Sequence, residues 1–353
     1  MRRSRRALVA AVLLAVSGAP RLAASAGSPD ESTRESRYLM GTSILVEAFG
    51  GQEAARRLAI DEAFAAMVEV DRLMSNYRDD SELSRLNRTA GREAVTVSDP
   101  MLSILQAAQR VSLASGGAFD ITVGPLVRLW GFHDKQPHLP TAAELAHVRP
   151  LVGYQNVVID DNLHTVRFAR PGLEIDLGGI AKGFAVELAA GVLRRHGLGG
   201  FVDAGGNQYL LGKPPGKASW SVGIKSPDAP GRLLGVLELG EGSVATSSQG
   251  ANYLAAGGRR YGHLLDPRTL QPSEASLSVT VVSPDATLGD ALTKAGFLLG
   301  RMRGLSVIES FPQTAALIAY RKPDGSVGVA VSKSLAAKFR REPASGGSGQ
   351  TRP

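Results

Sequence analysis

The chain of 353 residues carries a formal charge of +7 and no cysteine, which excludes disulfides, a thiol nucleophile and a lipidated N-terminal cysteine. Five arginines, Arg2, Arg3, Arg5, Arg6 and Arg21, stand in the first 26 residues with no acid among them, and without them the charge is +2. The body is then close to neutral and has no basic stripe interleaved with aromatics, which argues against nucleic acid as a partner.

The leading arginines precede an uncharged apolar run over residues 7–16 that ends near Ala24-Ser25-Ala26, the layout of an export signal over residues 1–26. Ser4-Arg5-Arg6-Ala7-Leu8-Val9 also resembles a twin-arginine motif, and either route leads to the periplasm. The run is shorter than a confident membrane span, although an uncleaved signal would leave the chain tethered.

Residues 43–49 alternate as a strand, and residues 53–73 carry Leu58, Ala59, Ala63, Met67 and Val70 at helical spacing. A second helix runs from Asp99-Pro100 to about Leu113, where Gly116-Gly117 stops it. Residues 154–168 predict two short strands around Asp160-Asp161-Asn162, and residues 173–177 a strand that bends through glycines into a helix over 180–196. Short strands follow at 201–202, 219–224, 233–239 and 277–282, then a helix over 288–299 and a hairpin around Lys322-Pro323-Asp324-Gly325. The pattern predicts one α+β domain over residues 27–332. Beyond it lies a basic tail over 333–353, expected to be disordered, where Lys333, Lys338, Arg340, Arg341 and Arg352 face the single acid Glu342.

Asp176-Leu177-Gly178-Gly179-Ile180-Ala181-Lys182-Gly183 sets two glycines at a helix start, where free N–H groups and the helix dipole favour an anion, and Lys182 adds charge. Its spacing is neither the Walker nor the Rossmann fingerprint, so a plain glycine-rich turn fits these residues equally well. Residues 117–126 embed Asp120 and Thr122 in an apolar stretch followed by Trp130-Gly131-Phe132. That mixture suits either a ligand wall or a core strand with a structural turn. Tyr77 is either a stacking platform or a surface loop residue. His263, inside an apolar strand-like run, is either a general base or a hydrogen-bonded core histidine. The other five, His133, His138, His147, His164 and His196, lack metal-ligand spacing. Asp290 reads as a helix N-terminal acid or, as a hard oxygen donor, a Mg²⁺ ligand.

In chain order, Met40-Gly41-Thr42, Ser75-Asn76-Tyr77 with Ser81-Glu82-Leu83, residues 117–131, residues 176–183, Asp203-Ala204-Gly205-Gly206, Ala245-Thr246-Ser247, residues 263–269 and Asp290-Ala291-Leu292 resemble the ApbE family of FAD:protein FMN transferases. The likeness extends over about residues 38–300. It implies a single ApbE-like, T-fold-related domain with two halves around an FAD cleft. The implied enzyme moves the FMN half of FAD onto a threonine hydroxyl of an exported target protein, as in membrane redox complexes, and releases AMP.

Carried over by position, the family's FAD contacts fall on Met40, Tyr77, Ala118, Phe119, Asp120, Asp176, Lys182 and Leu265. Catalytic roles fall on His263, Lys182 and Asp290, with His263 taking the threonine proton. The Mg²⁺ site falls on the Gly179 carbonyl, Asp290 and Thr293. Lys294, however, stands where the family has a threonine, and a charged lysine cannot ligate a metal. Its ammonium is expected to replace part of the metal's charge and to weaken or remove Mg²⁺ dependence. Asn207 in place of an aspartate, Ser248-Gln249-Gly250 in place of a Gly-Asp-Tyr-like run and Leu270 in place of a glycine are further departures. Two other readings use the same pocket: an FAD carrier that has lost turnover, and an FAD pyrophosphatase that uses water.

Overall fold

A computed structural model describes residues 31–134, 136, 138–249, 253–256 and 259–342. The expected export signal and residues 343–353 lie outside the described residues, as do Gly250 and its two successors.

Among the described residues, eight strands form one antiparallel sheet in which spatial order follows chain order. They are Ser32–Leu39, Thr42–Phe49, Gly199–Ala204, Asn207–Leu211, Gly242–Ser248, Ser278–Ser283, Ala315–Arg321 and Val327–Val331. The helices are α1 (Glu53–Met74), α2 (Glu82–Thr89), α3 (Asp99–Ala114), α4 (Gly124–Leu129), α5 (Ala142–Val148), α6 (Ala181–Arg195), α7 (Ala286–Glu309) and α8 (Lys333–Ala336).

Alternation turns Ile44, Val46 and Ala48 to one face of the sheet, where α1, α6 and α7 pack. On α1 the buried residues Ala59, Ile60, Ala63, Phe64, Met67 and Val70 recur at spacings of three and four, forming the stripe that meets this core. The opposite face carries a second core of Leu210, Ile224, Leu237, Leu317 and Leu335, roofed by a three-stranded sheet of Trp220–Lys225, Leu233–Leu239 and Phe339–Arg341.

That roof corrects the expected tail. Residues 333–342 are folded: α8 buries Leu335, and Phe339–Arg341 pairs with Leu233–Leu239. Two apolar anchors and a ladder of backbone bonds outweigh the basic composition, so the domain reaches at least residue 342.

Two local expectations also change. Residues 173–177 join no ladder; the Asn87 side chain instead accepts from Ile175 N–H and donates to its carbonyl, and Asp176 N–H bonds Ile121 O. Residues 117–126 form a short 3₁₀ turn, Ile121–Val123, running into α4, because the Asp120 carboxylate caps Thr122 N–H and favours a turn over a strand. The expected helix over 288–299 does break at Gly300, whose φ of 70° and ψ of −179° are non-helical, and a second helical stretch follows it to Glu309.

The crossing of α6 and α7 requires a glycine. A Cβ at Gly183 would collide with the Ala286 carbonyl and come within 2.6 Å of the Asp290 Cβ. Gly183→Ala is therefore expected to destabilise the fold by about 1–3 kcal/mol, read as a lowered midpoint in urea at constant slope.

Candidate active site

The glycine bend and α6 build one wall of the site. Asp176 Oδ1 accepts Gly178 N–H at 2.7 Å, folding the bend, and the residue before α6, Ile180, offers no side-chain cap. Ile180 and Ala181 N–H bond Leu177 O and Gly183 N–H bonds Asp290, so what this helix start turns toward the site is chiefly the positive end of its dipole. Lys182 is held over Gly178 O at 3.3 Å. Phe119, buried, lies against the bend: a Cβ on Gly179 would stand 3.2 Å from its ring and 4.0 Å from the Lys294 stem.

Behind the bend, α7 supplies a buried charged cluster. Asp290 is fully buried; its Oδ2 accepts Gly183 N–H at 2.8 Å, and its Oδ1 receives the Lys294 ammonium in a short ion pair. Lys294 Nζ also donates to Asp290 O at 3.0 Å, and Thr293 Oγ1 donates to the same carbonyl at 2.6 Å. Ser247 Oγ pairs with Thr293 Oγ1 at 2.7 Å. Burial pushes the Lys294 ammonium pKa down, opposed by the Asp290 carboxylate and reinforced by the charge of Lys182.

These residues do not fit the expected Mg²⁺ site. Both Asp290 carboxylate oxygens are engaged by the protein, the Thr293 proton is committed, and an ammonium with no lone pair stands on Oδ1. A divalent ion would have to displace Lys294 to reach its oxygens.

Two glycine turns join the cluster from the sheet. Met40-Gly41 makes a two-residue hairpin turn with both φ positive, 52° and 74°, and at Met40 that is a strained setting of the kind kept where a site needs it. A Cβ on Gly205 would sit 2.7 Å from Thr42 Oγ1, so this turn nests against the Gly205-Gly206 turn. Thr246 N–H bonds Gly206 O at 3.0 Å, and its neighbour Ser247 holds Thr293. A continuous series of contacts therefore runs from Met40 to Lys294.

At the rim, Tyr77 is 76% exposed and stacks flat on His133, centroids 4.7 Å apart and planes 2° from parallel. Partial burial raises the Tyr77 pKa, and the charges of Asp176 and Asp134 add to it. Sequence spacing gave no sign of His133 in this role; its only cue is that it follows Trp130-Gly131-Phe132.

His263 sits in a bend rather than inside a strand, half-buried between the strand Arg259–Gly262 and Leu265–Asp266. Its segment is well anchored. Leu264 enters the main core, and Leu265 packs with Leu126, Trp130 and Leu270. Trp130 Nε1 donates to Leu270 O at 3.1 Å, and Arg268 bridges Asp266 to Leu298 O on α7. Both the histidine segment and the glycine bend are thus fastened to α7.

Three expected contacts lie deeper. Ala118 and Leu265 are buried and back the wall with their side chains. Asp120 is spent on structure: Oδ1 accepts from Thr122, Oδ2 accepts Tyr154 N–H at 2.7 Å, and burial raises its pKa against those bonds. Asn207 adds a feature the sequence did not flag beyond its departure from the family pattern, a buried Oδ1 with no partner among the described residues.

A helix dipole, two lysines and a pair of flat rings are the groups that an anionic, planar ligand would use, as in nucleotide-handling α+β proteins. The comparisons carry this further. Residues 40–318 match the ApbE family, and the chain belongs to it. It is 33% identical to an FAD:protein FMN transferase of Klebsiella pneumoniae, covering 82% of this chain and 89% of that one. It is likewise 33% identical to one of Vibrio cholerae, covering 86% and 92%. Its fold superposes on the ApbE protein of Thermotoga maritima with a TM-score of 0.80 at 30% identity, covering 88% of this chain and all of that one. For the flavin transferase ApbE of Vibrio cholerae the TM-score is 0.79 at 32% identity, over 88% and 100%.

Proposed function

We propose that this chain is an FAD:protein FMN transferase. The observation that carries the reading is the cluster of the α6 N-terminus, Lys182 and Lys294 behind Phe119, a cationic floor matched to a pyrophosphate beneath a planar ring. Phosphoryl transfer needs in-line positioning and neutralised phosphate charge, and this cluster supplies the second. The acceptor threonine oxygen attacks the phosphorus on the flavin side, the P–O–P bond breaks, AMP leaves, and His263 takes the hydroxyl proton on a ring nitrogen. No divalent cation takes part in this scheme.

Tyr77 stacks on one face of the bound ring system, taking up the contact that His133 makes in its absence. Tyr77→Ala is expected to weaken FAD binding about threefold to tenfold, the worth of one aromatic stack, in a calorimetric titration. The arginine-rich leader over residues 1–26 supports export of the mature chain to the periplasm, and exported flavin subunits of membrane redox complexes are the acceptors this reading implies. No helix of the described residues is long and apolar enough to cross a membrane.

One incubation of the mature chain with FAD and a threonine-bearing acceptor domain tests the reading. Flavin fluorescence on the denatured acceptor band is expected. Free FMN with AMP would instead make the chain a pyrophosphatase, and FAD bound but unchanged would make it a carrier.

A further inference from the structure

We infer that Lys294 is the built-in counter-ion of the pyrophosphate pocket, its ammonium seated on Asp290 where a divalent cation would have to sit, so that transfer proceeds without metal. This rests on the transferase reading, and its test includes an arm that does not.

The geometry argues it in three steps. A fully buried carboxylate needs compensation, and Asp290 obtains it from Gly183 N–H and from Lys294, four residues on along the same helix face. Mg²⁺ requires near-octahedral oxygen at about 2.0–2.1 Å, whereas the ammonium brings three donors and no lone pair to the same oxygen. The stem of Lys294 runs up to the glycine bend, 4.0 Å from where a Gly179 Cβ would stand, so the lysine lies beside the start of α6. Two of its N–H bonds go to Asp290, and among the described residues the third is left for a phosphate oxygen.

The role of the ammonium is to hold charge and donate one hydrogen bond; it neither gives up nor takes a proton in the step. Lys182 Nζ sits on Gly178 O of the same glycine bend that the Lys294 stem reaches at Gly179, so a bound pyrophosphate meets two lysines and a helix dipole.

Manganese titrated into the purified chain without FAD, followed by the loss of the free-ion EPR signal, reads the metal site independently of activity. The wild-type chain is expected to take up no manganese, and Lys294→Thr, which removes the ammonium and adds a hydroxyl, is expected to bind one ion per chain. In the assay, wild-type transfer is expected to be unchanged in excess EDTA, and Lys294→Thr to become EDTA-sensitive and Mg²⁺-restored. Lys294→Met, which keeps the stem without the charge, is expected to lose on the order of 10²-fold in EDTA-resistant transfer. A melting curve on each variant separates misfolding from loss of charge. Stoichiometric manganese uptake by the wild-type chain, abolition of its transfer by EDTA, or wild-type rates in folded Lys294→Met would each overturn the inference. If no acceptor is ever flavinylated, the transferase reading fails while the manganese arm still reports on Lys294.

Discussion

Replacing His263 by alanine lowers FMN transfer about 10²–10⁴-fold and leaves FAD bound, the loss expected when a positioned general base is removed. His263 occupies a bend, and the backbone on its C-terminal side is fixed by Leu264 in the core, by Leu265 against Trp130 and by Arg268 reaching Leu298 O. Those anchors remain when the imidazole is removed, and a melting curve of the variant separates lost chemistry from lost packing. A threonine hydroxyl is a weak nucleophile at neutral pH and becomes effective only as its proton leaves, which is why the cost falls on the rate and not on FAD affinity. Stopped-time assays with the acceptor domain give the rate, and a calorimetric titration gives the FAD affinity. An unaltered rate with intact binding would move the proton to another acceptor and end the assignment.

How much of this was legible in the sequence follows from where the signals are local. Helices α1, α3 and α6 announce themselves by apolar spacing and by the Asp99-Pro100 start, and the strand Thr42–Phe49 by its alternation. The strand Ser32–Leu39 was missed because its sequence, STRESRYL, is polar on both faces; it is an edge strand held by its ladder to Thr42–Phe49 and mostly exposed. Helix α2 escaped because its start signal, Ser81 accepting from Ser84 N–H, sits in a short charged stretch with only Leu83 and Leu86 buried. Residues 173–177 looked like a strand because their apolar side chains are buried, yet their backbone partner is the amide of Asn87, which no periodicity reveals. At the site, the i,i+4 spacing of Asp290 and Lys294 already put both on one helix face. Whether that lysine turned to solvent or onto the carboxylate depended on α6 closing over it through Gly183, a tertiary fact. The stack of Tyr77 on His133 joins loops far apart in the chain and leaves no local trace.

Removing the Asp290 side chain has the largest expected effect on stability. Asp290→Ala leaves the Lys294 ammonium, 16% exposed, without its counter-charge and strips Gly183 N–H of its acceptor at the α6 start. Breaking a buried pair by deleting one member costs about 3–5 kcal/mol, because the remaining charge stays desolvated. For a domain of this size that corresponds to a fall of about 10 °C in melting temperature. The mechanism makes a second, opposite prediction. If the loss arises from the stranded charge and not from the cavity alone, adding Lys294→Met to Asp290→Ala recovers most of it, since methionine fills the same channel without needing a partner. Melting curves of the wild type, both single variants and the double variant close the cycle. A double variant no more stable than Asp290→Ala would show that the carboxylate matters through Gly183 and packing, and that Lys294 relaxes to solvent once Asp290 is gone.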